Sequence, residues 1–67
     1  MKGIYFMFIE ISGLSGLNIV TLNKVILSVG GIPLDGDGPV FNLAGWQCDE
    51  ILSACAELGL HALLRNH

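Results

Sequence analysis

The number of strands in this chain depends on GIPLDGDGPVFNL, residues 31–43. The pattern predicts a short edge strand over residues 31–34, a turn over 35–38 and a longer strand over 39–43. Asp-Gly pairs favour such a hairpin because glycine takes positive φ at little cost. Both prolines, Pro33 and Pro39, lack a backbone donor and so belong at a strand end or an edge. The alternative is that 32–43 is largely loop, which leaves a smaller βαβα-type fold.

Two elements precede this stretch. Residues 3–9, GIYFMFI, are a continuous aromatic and β-branched run, which is typical of a central strand that is apolar on both faces. Residues 17–29 carry apolar side chains at helical spacing and end at a Gly-Gly pair, so they predict a first helix with Ser15 as its cap.

Two more elements follow it. Residues 47–58 predict a second helix, because apolar and polar side chains fall on opposite sides of a helical wheel. The predicted buried stripe is Cys48, Ile51, Leu52, Cys55 and Leu58. The predicted polar side is Gln47, Asp49, Glu50, Ser53 and Glu57. Gly59 suits the position after the helix, and residues 60–65 predict a last strand.

The predicted order is therefore β-α-β-β-α-β. It predicts an α+β, ferredoxin-like fold, in which a four-stranded antiparallel sheet carries both helices on one face. The 67 residues fill this arrangement as a single small domain, residues 1–67, without a spare segment.

Composition indicates that part of the apolar surface is covered by another chain. The chain is 52% hydrophobic and 13% charged, whereas an average globular domain is roughly 25% charged. A domain of this size buries only about 60% of the surface that its unfolded chain exposes. We therefore expect a homodimer or another homo-oligomer, or else a foreign protein partner.

Charge and hydropathy argue against two other partners. The net charge is −3 and the only cations are Lys2, Lys24 and Arg65. Three scattered cations cannot neutralise a run of phosphates, so we expect no nucleic acid. The longest uncharged stretch, residues 11–23, and others such as residues 25–34 are shorter than the roughly 18 to 20 apolar residues of a membrane span, so we expect no membrane association.

No pattern of reactive side chains indicates catalysis or a metal. Cys48 and Cys55 lie about 10.5 Å apart along the predicted helix, too far for a disulfide. Buried, reduced thiols predict a cytoplasmic protein. Neither His61 nor His67 has an evident third ligand, and the Asp-Gly turn lacks the further oxygen ligands of a calcium loop. We expect no enzyme activity and no cofactor.

Three surfaces are candidates for binding. The glycine loop before the first helix could offer free N–H groups to an anion at Ser12, Gly13, Ser15 and Gly16. Self-association could use Tyr5, Met7 and Ile9 on the outer sheet face, or Leu17, Val20 and Leu27 on the first helix around Lys24. We expect the acidic side of the second helix, Asp49, Glu50 and Glu57, to be solvated and to be either idle or a docking surface for a basic partner.

The chain also resembles the ACT domain family of small regulatory modules. The resemblance lies in Gly13 and Gly16 before the first helix, in the helix running into Gly30-Gly31, and in residues 51–60. It implies amino-acid binding between paired domains. The chain lacks the Asn common after the first helix, and only Glu10 stands for the acidic residue that often precedes the glycine loop.

Three functional hypotheses follow. The first is a non-enzymatic interaction or regulatory module that acts as a homo-oligomer. The second is a stand-alone inhibitor or adaptor of the phage type, which docks on another macromolecule. The third is a domain that senses a small, amino-acid-like ligand.

Overall fold

The computed structural model describes residues 7–66, which form one sheet and two helices in the order β-α-β-α-β. The strands are β1 (Met7–Ser12), β2 (Gly38–Leu43) and β3 (His61–Asn66). The helices are α1 (Leu17–Ser28) and α2 (Gly45–Leu58).

β1 lies in the middle of the sheet, which has the strand order β2-β1-β3. Both neighbours run antiparallel to β1, and Ile9 lies opposite Val40 of β2 and Leu64 of β3. Because β2 and β3 are both antiparallel to β1, they are parallel to each other. The connection through α2 therefore passes from one edge of the sheet to the other.

The central strand begins and ends later than predicted. Of the predicted residues 3–9, residues 3–6 lie outside the described part of the chain, and the strand continues to Ser12. Over this later stretch the side chains alternate, with Ile9 and Ile11 buried and Glu10 exposed on the other face. The helices thus cover only one face of β1.

The core lies between that face and the two helices. In the described part of the chain it consists of ten buried side chains: Ile9, Ile11, Leu22, Ile26, Val29, Val40, Leu43, Cys48, Ile51 and Cys55. Those of α1 and α2 recur at intervals of three and four residues, as expected for one side of a helix. Both predicted helices are confirmed, and so is the centre of the buried stripe predicted for α2, where Cys48, Ile51 and Cys55 are buried. Gly59 ends α2 in the left-handed conformation, with φ 72°.

A bulge lets β2 place two residues three positions apart in the core. Val40 and Leu43 are both buried, although side chains alternate in a regular strand. The register with β1 shifts between Met7 and Ile9, and Asn42 has φ 60°. Asparagine tolerates this left-handed conformation better than most residues. One residue of β2 is therefore left without a regular partner.

The ferredoxin-like prediction was wrong, because residues 7–66 form a sheet of three strands rather than four. Residues 31–34 form no strand. The side-chain amide of Asn23 in α1 holds them instead: its Nδ2 donates to the Leu34 carbonyl at 2.6 Å, and its Oδ1 accepts from the Leu34 N–H at 2.9 Å. These two backbone groups are therefore not available to a strand. The alternative, with 32–43 largely loop, was also wrong, because β2 occupies its second half.

A close contact fixes the start of the same segment. The Gly31 N–H donates to the Ile26 carbonyl at 2.8 Å. A Cβ at Gly31 would lie only 2.8 Å from Cγ2 of Ile26, so this position admits no side chain without a shift. The segment from Gly31 to Leu34 thus follows the end of α1 rather than the edge of β2.

Candidate functional site

The glycine loop that was predicted to bind an anion binds the side-chain carboxylate of Asp37, a residue elsewhere in the chain. The Leu14 N–H donates to Oδ1 of Asp37 at 2.8 Å, and the Gly13 N–H donates to Oδ2 at 3.2 Å. Asp37 comes from the turn before β2, which the sequence predicted only as a turn. Two backbone donors on one carboxylate form charge-assisted hydrogen bonds. The loop is thereby tied to the turn.

The other residues of the predicted ligand site do not converge on a free space. Ser12 belongs to β1 and lies opposite His61 of β3. The residue that caps α1 is Gly16, with φ 50° and no side-chain cap bond, so the prediction of Ser15 as the cap was wrong. The Ser15 carbonyl accepts instead from the Asn18 N–H at 3.0 Å.

A groove of about 230 Å³ lies where the fourth strand was expected. It lies between residues 30–34 and part of β2. Its lining is Gly30, Gly31, Ile32, Pro33, Leu34, Pro39, Val40, Phe41, Asn42 and Gln47. None of these side chains titrates, so the groove offers shape and backbone groups rather than acid–base chemistry.

Gln47, the polar side chain at the inner end of this groove, already has partners at both ends. Its Oε1 accepts from the Ala44 N–H at 2.7 Å, and its Nε2 donates to the Val29 carbonyl at 2.7 Å. It therefore joins the start of α2 to the end of α1. The prediction that Gln47 belongs to the solvated side of α2 was wrong, since it is partly buried.

The two cysteines lie in the core as predicted. Cys48 and Cys55 are free and buried. Burial raises the pKa of both thiols, and the neighbouring Asp49 carboxylate raises the pKa of Cys48 further. A raised pKa lowers the thiolate fraction at neutral pH and so disfavours nucleophilic or metal-binding chemistry.

Within residues 7–66, no group of three or more His, Cys, Asp or Glu side chains is arranged to hold a metal ion. His61 is exposed at the start of β3. His67 lies outside the described residues.

The predicted apolar side of α1 is exposed. Leu17 has 82% of its surface accessible, Val20 has 52% and Leu27 has 58%, and Lys24 beside them is also exposed. The structure thus confirms that these side chains face away from the core. Whether they join two copies stays a prediction.

The acidic side of α2 is solvated as predicted. Asp49, Glu50 and Glu57 are all exposed. These three carboxylates make no salt bridge within the described part of the chain. Docking of a basic partner on them stays a prediction.

The prediction for the outer sheet face had the wrong side of β1. Ile9 is fully buried under the helices, and Met7 packs against the core, so neither lies on the outer face. Tyr5 lies outside the described residues. Phe8 and Glu10 take the outer face instead. The Phe8 ring lies 5.3 Å from the Phe41 ring, centroid to centroid.

The outer face also carries an ion pair, and the molecule exposes several apolar side chains, on this face and elsewhere, that the sequence did not single out. Nε of Arg65 on β3 donates to Oε1 of Glu10 at 2.5 Å. Large apolar side chains exposed beyond those of α1 are Ile32, Phe41, Trp46, Leu63 and Leu64. The Leu63-Leu64 pair was visible as an apolar pair in a predicted strand, but the sequence did not show which of the two lies on the face that the helices cover.

Comparison with protein-family models, with curated proteins and with solved structures found no match. These comparisons therefore give no support to the resemblance to ACT domains, whose four-stranded sheet the chain does not form. Neither helix of the described chain combines the length and the apolar character that crossing a membrane requires.

Proposed function

We propose that this chain is a non-enzymatic interaction module that acts as a homo-oligomer. The observation that carries the proposal is the amount of apolar surface left outside the core. Among residues 7–66, eight large apolar side chains are between 46% and 82% exposed, nearly as many as the ten that form the core. Large apolar side chains left exposed in patches mark interaction sites in soluble proteins.

The distribution of polar groups supports binding rather than catalysis. Among the described residues, no polar or charged side chain is buried. Catalytic groups usually owe their perturbed pKa values to burial and to specific partners. The described carboxylates and His61 are exposed instead, as is typical of side chains that solvate a surface.

The internal use of Asp37 favours an interaction module over a ligand sensor. The two N–H groups that would receive an anion already bind this carboxylate. A free anion would have to displace a tethered one, whose effective concentration is high. The net charge of −3 likewise favours a protein partner over a nucleic acid. We place the module in the cytoplasm, where buried free thiols stay reduced.

Size-exclusion chromatography with light scattering tests the proposal. The mass of one chain is 7.2 kDa. We expect a mass near twice this value that falls on dilution, as mass action requires. A mass of one chain at every concentration up to the millimolar range would overturn the proposal and favour an adaptor that binds a foreign protein.

A further inference from the structure

The two edges of the sheet differ in how readily they accept another strand. On β2, Pro39 lacks an N–H and Asn42 lies in a bulge, and both features disfavour pairing. Residues 30–34 also face residues of β2 across the groove. The edge of β2 is therefore protected from edge-to-edge contact.

The edge of β3 has none of these protections. All six residues pair with β1 in an unbroken register, from His61 opposite Ser12 to Asn66 opposite Met7. The strand contains neither proline nor glycine, and none of its residues has positive φ. Every second residue of such a strand directs its N–H and C=O outward. Within residues 7–66 no strand receives these groups.

Charge does not protect this edge either. Edge strands often carry charged side chains that repel a further strand. The one formal charge of β3 at neutral pH is Arg65, and it already pairs with Glu10 of β1. A second copy of the same strand therefore meets little electrostatic repulsion.

Two leucines show which kind of contact the edge suits. Leu63 lies opposite Glu10 on the outer face, whereas Leu64 lies opposite the buried Ile9 on the helix face. Both are nearly half exposed, at 46% and 47%. A protein that docks on one face of the sheet covers only one of them. A strand that extends the sheet brings side chains alongside both.

We propose that the partner is a second copy of this chain, joined antiparallel through β3 to form a continuous six-stranded sheet. This inference rests on the proposed self-association and names its surface. A two-fold axis makes the contact closed and self-complementary. The exposed stripe of α1 then lies outside the interface.

The side-chain pattern of β3 favours one register between the two copies, in which the two-fold axis passes beside Leu63. Leu63 then lies opposite its own symmetry mate, and Ala62 lies opposite Leu64 on the helix face. Apolar side chains meet apolar side chains at all three central positions. With the axis at Leu64 instead, Leu63 would face Arg65, and Ala62 would face Asn66.

Cysteine crosslinking tests both the edge and the register. In the proposed register, the side chains at position 63 are directly opposite, about 4.5–5.5 Å apart between Cβ atoms, whereas those at position 64 are diagonal neighbours, about 7–8 Å apart. Under mild oxidation, Leu63→Cys should form a covalent dimer much faster than Leu64→Cys, because a disulfide needs Cα atoms within roughly 7 Å. Faster crosslinking of Leu64→Cys would overturn the register.

Two controls give the baseline. The native thiols are buried, so the unmodified chain should form no covalent dimer. Thr21→Cys places a thiol on the exposed side of α1 and measures collisional crosslinking. If Leu63→Cys and Leu64→Cys both crosslink no faster than Thr21→Cys, pairing through β3 is overturned.

Lysine substitutions separate failure of this inference from failure of the proposed function. Leu64→Lys puts a charge beside the edge and should raise the dissociation constant at least about tenfold. Leu17→Lys, at a more exposed position on α1, should change it less than about twofold. A dimer that survives Leu64→Lys but dissociates with Leu17→Lys keeps the self-association and overturns the β3 edge. A native chain that is monomeric throughout overturns both.

Discussion

Replacing Asn23 tests the reason why residues 31–34 form no strand. Its side chain makes two hydrogen bonds to the backbone of Leu34, at 2.6 and 2.9 Å, in a partly buried position. Each such bond contributes about 1 kcal/mol net, so Asn23→Ala loses about 2 kcal/mol. The better helix propensity of alanine offsets about 0.5 kcal/mol. The expected loss in the free energy of unfolding is therefore about 1.5 kcal/mol.

Urea denaturation at a fixed protein concentration measures this loss, since association also contributes to stability. The same loss should lower the melting temperature by roughly 6–12 °C. Thr21→Ala, on the exposed side of the same helix, is the matched control and should stay within about 0.5 kcal/mol of the native chain.

Asn23→Asp separates the two bonds. A carboxylate still accepts from the Leu34 N–H, but it cannot donate to the Leu34 carbonyl and instead places two oxygens against each other. At neutral pH this variant should be at least as unstable as Asn23→Ala. If both variants unfold within about 0.5 kcal/mol of the native chain, the amide does not hold residues 31–34, and the physical account of the missing strand is wrong.

Three further perturbations have defined outcomes. Asp37→Asn removes the charge that receives the Gly13 and Leu14 N–H groups, and urea denaturation should show a loss of about 1 kcal/mol; no loss would mean that the loop does not depend on this carboxylate. Cys48 and Cys55 should react with a thiol reagent only on unfolding. Rapid labelling of the native chain would contradict this. Because burial raises the pKa of both thiols above the ordinary 9.0, the folded state keeps thiol protons that the unfolded state has lost, so the free energy of unfolding should fall as pH rises through about 9. Glu50→Lys, on the solvated side of α2, should change the free energy of unfolding by less than about 0.5 kcal/mol, and a large loss would show that Glu50 has a structural partner.

The helices could be predicted from the sequence because their periodicity is local. Ile51 and Cys55, four residues apart, lie on the buried side of α2 as the wheel placed them. The exposed side of α1 followed from the same spacing. Such patterns need no knowledge of the rest of the chain, since one side of each helix packs on whatever core exists.

The number of strands could not be predicted because it depends on contacts between distant residues. Asn23 lies 11 residues before Leu34, and Asp37 lies 24 residues after Gly13. An asparagine in the middle of a predicted helix gives no local sign that it will bind a backbone segment. Likewise, an Asp-Gly turn gives no sign that its carboxylate fills a loop elsewhere.

The face of β1 was mispredicted for a related reason. Residues 5–9 are apolar without alternation, so either side could face the helices. The alternation that decides the face comes later, where Glu10 separates the buried Ile9 from the buried Ile11. Leu64 lies on the helix face, so its exposure depends on how far the helices cover the sheet, and a short stretch of sequence does not determine that coverage.

Hydrogen–deuterium exchange of the unmodified chain at increasing concentration tests self-association through β3 most directly. Pairing of two copies places the outward N–H groups of β3 in hydrogen bonds. We therefore expect exchange in His61–Asn66 to slow with concentration, while exchange in Leu17–Ser28 stays unchanged. Exchange in β3 that is independent of concentration, up to the millimolar range, would contradict the account.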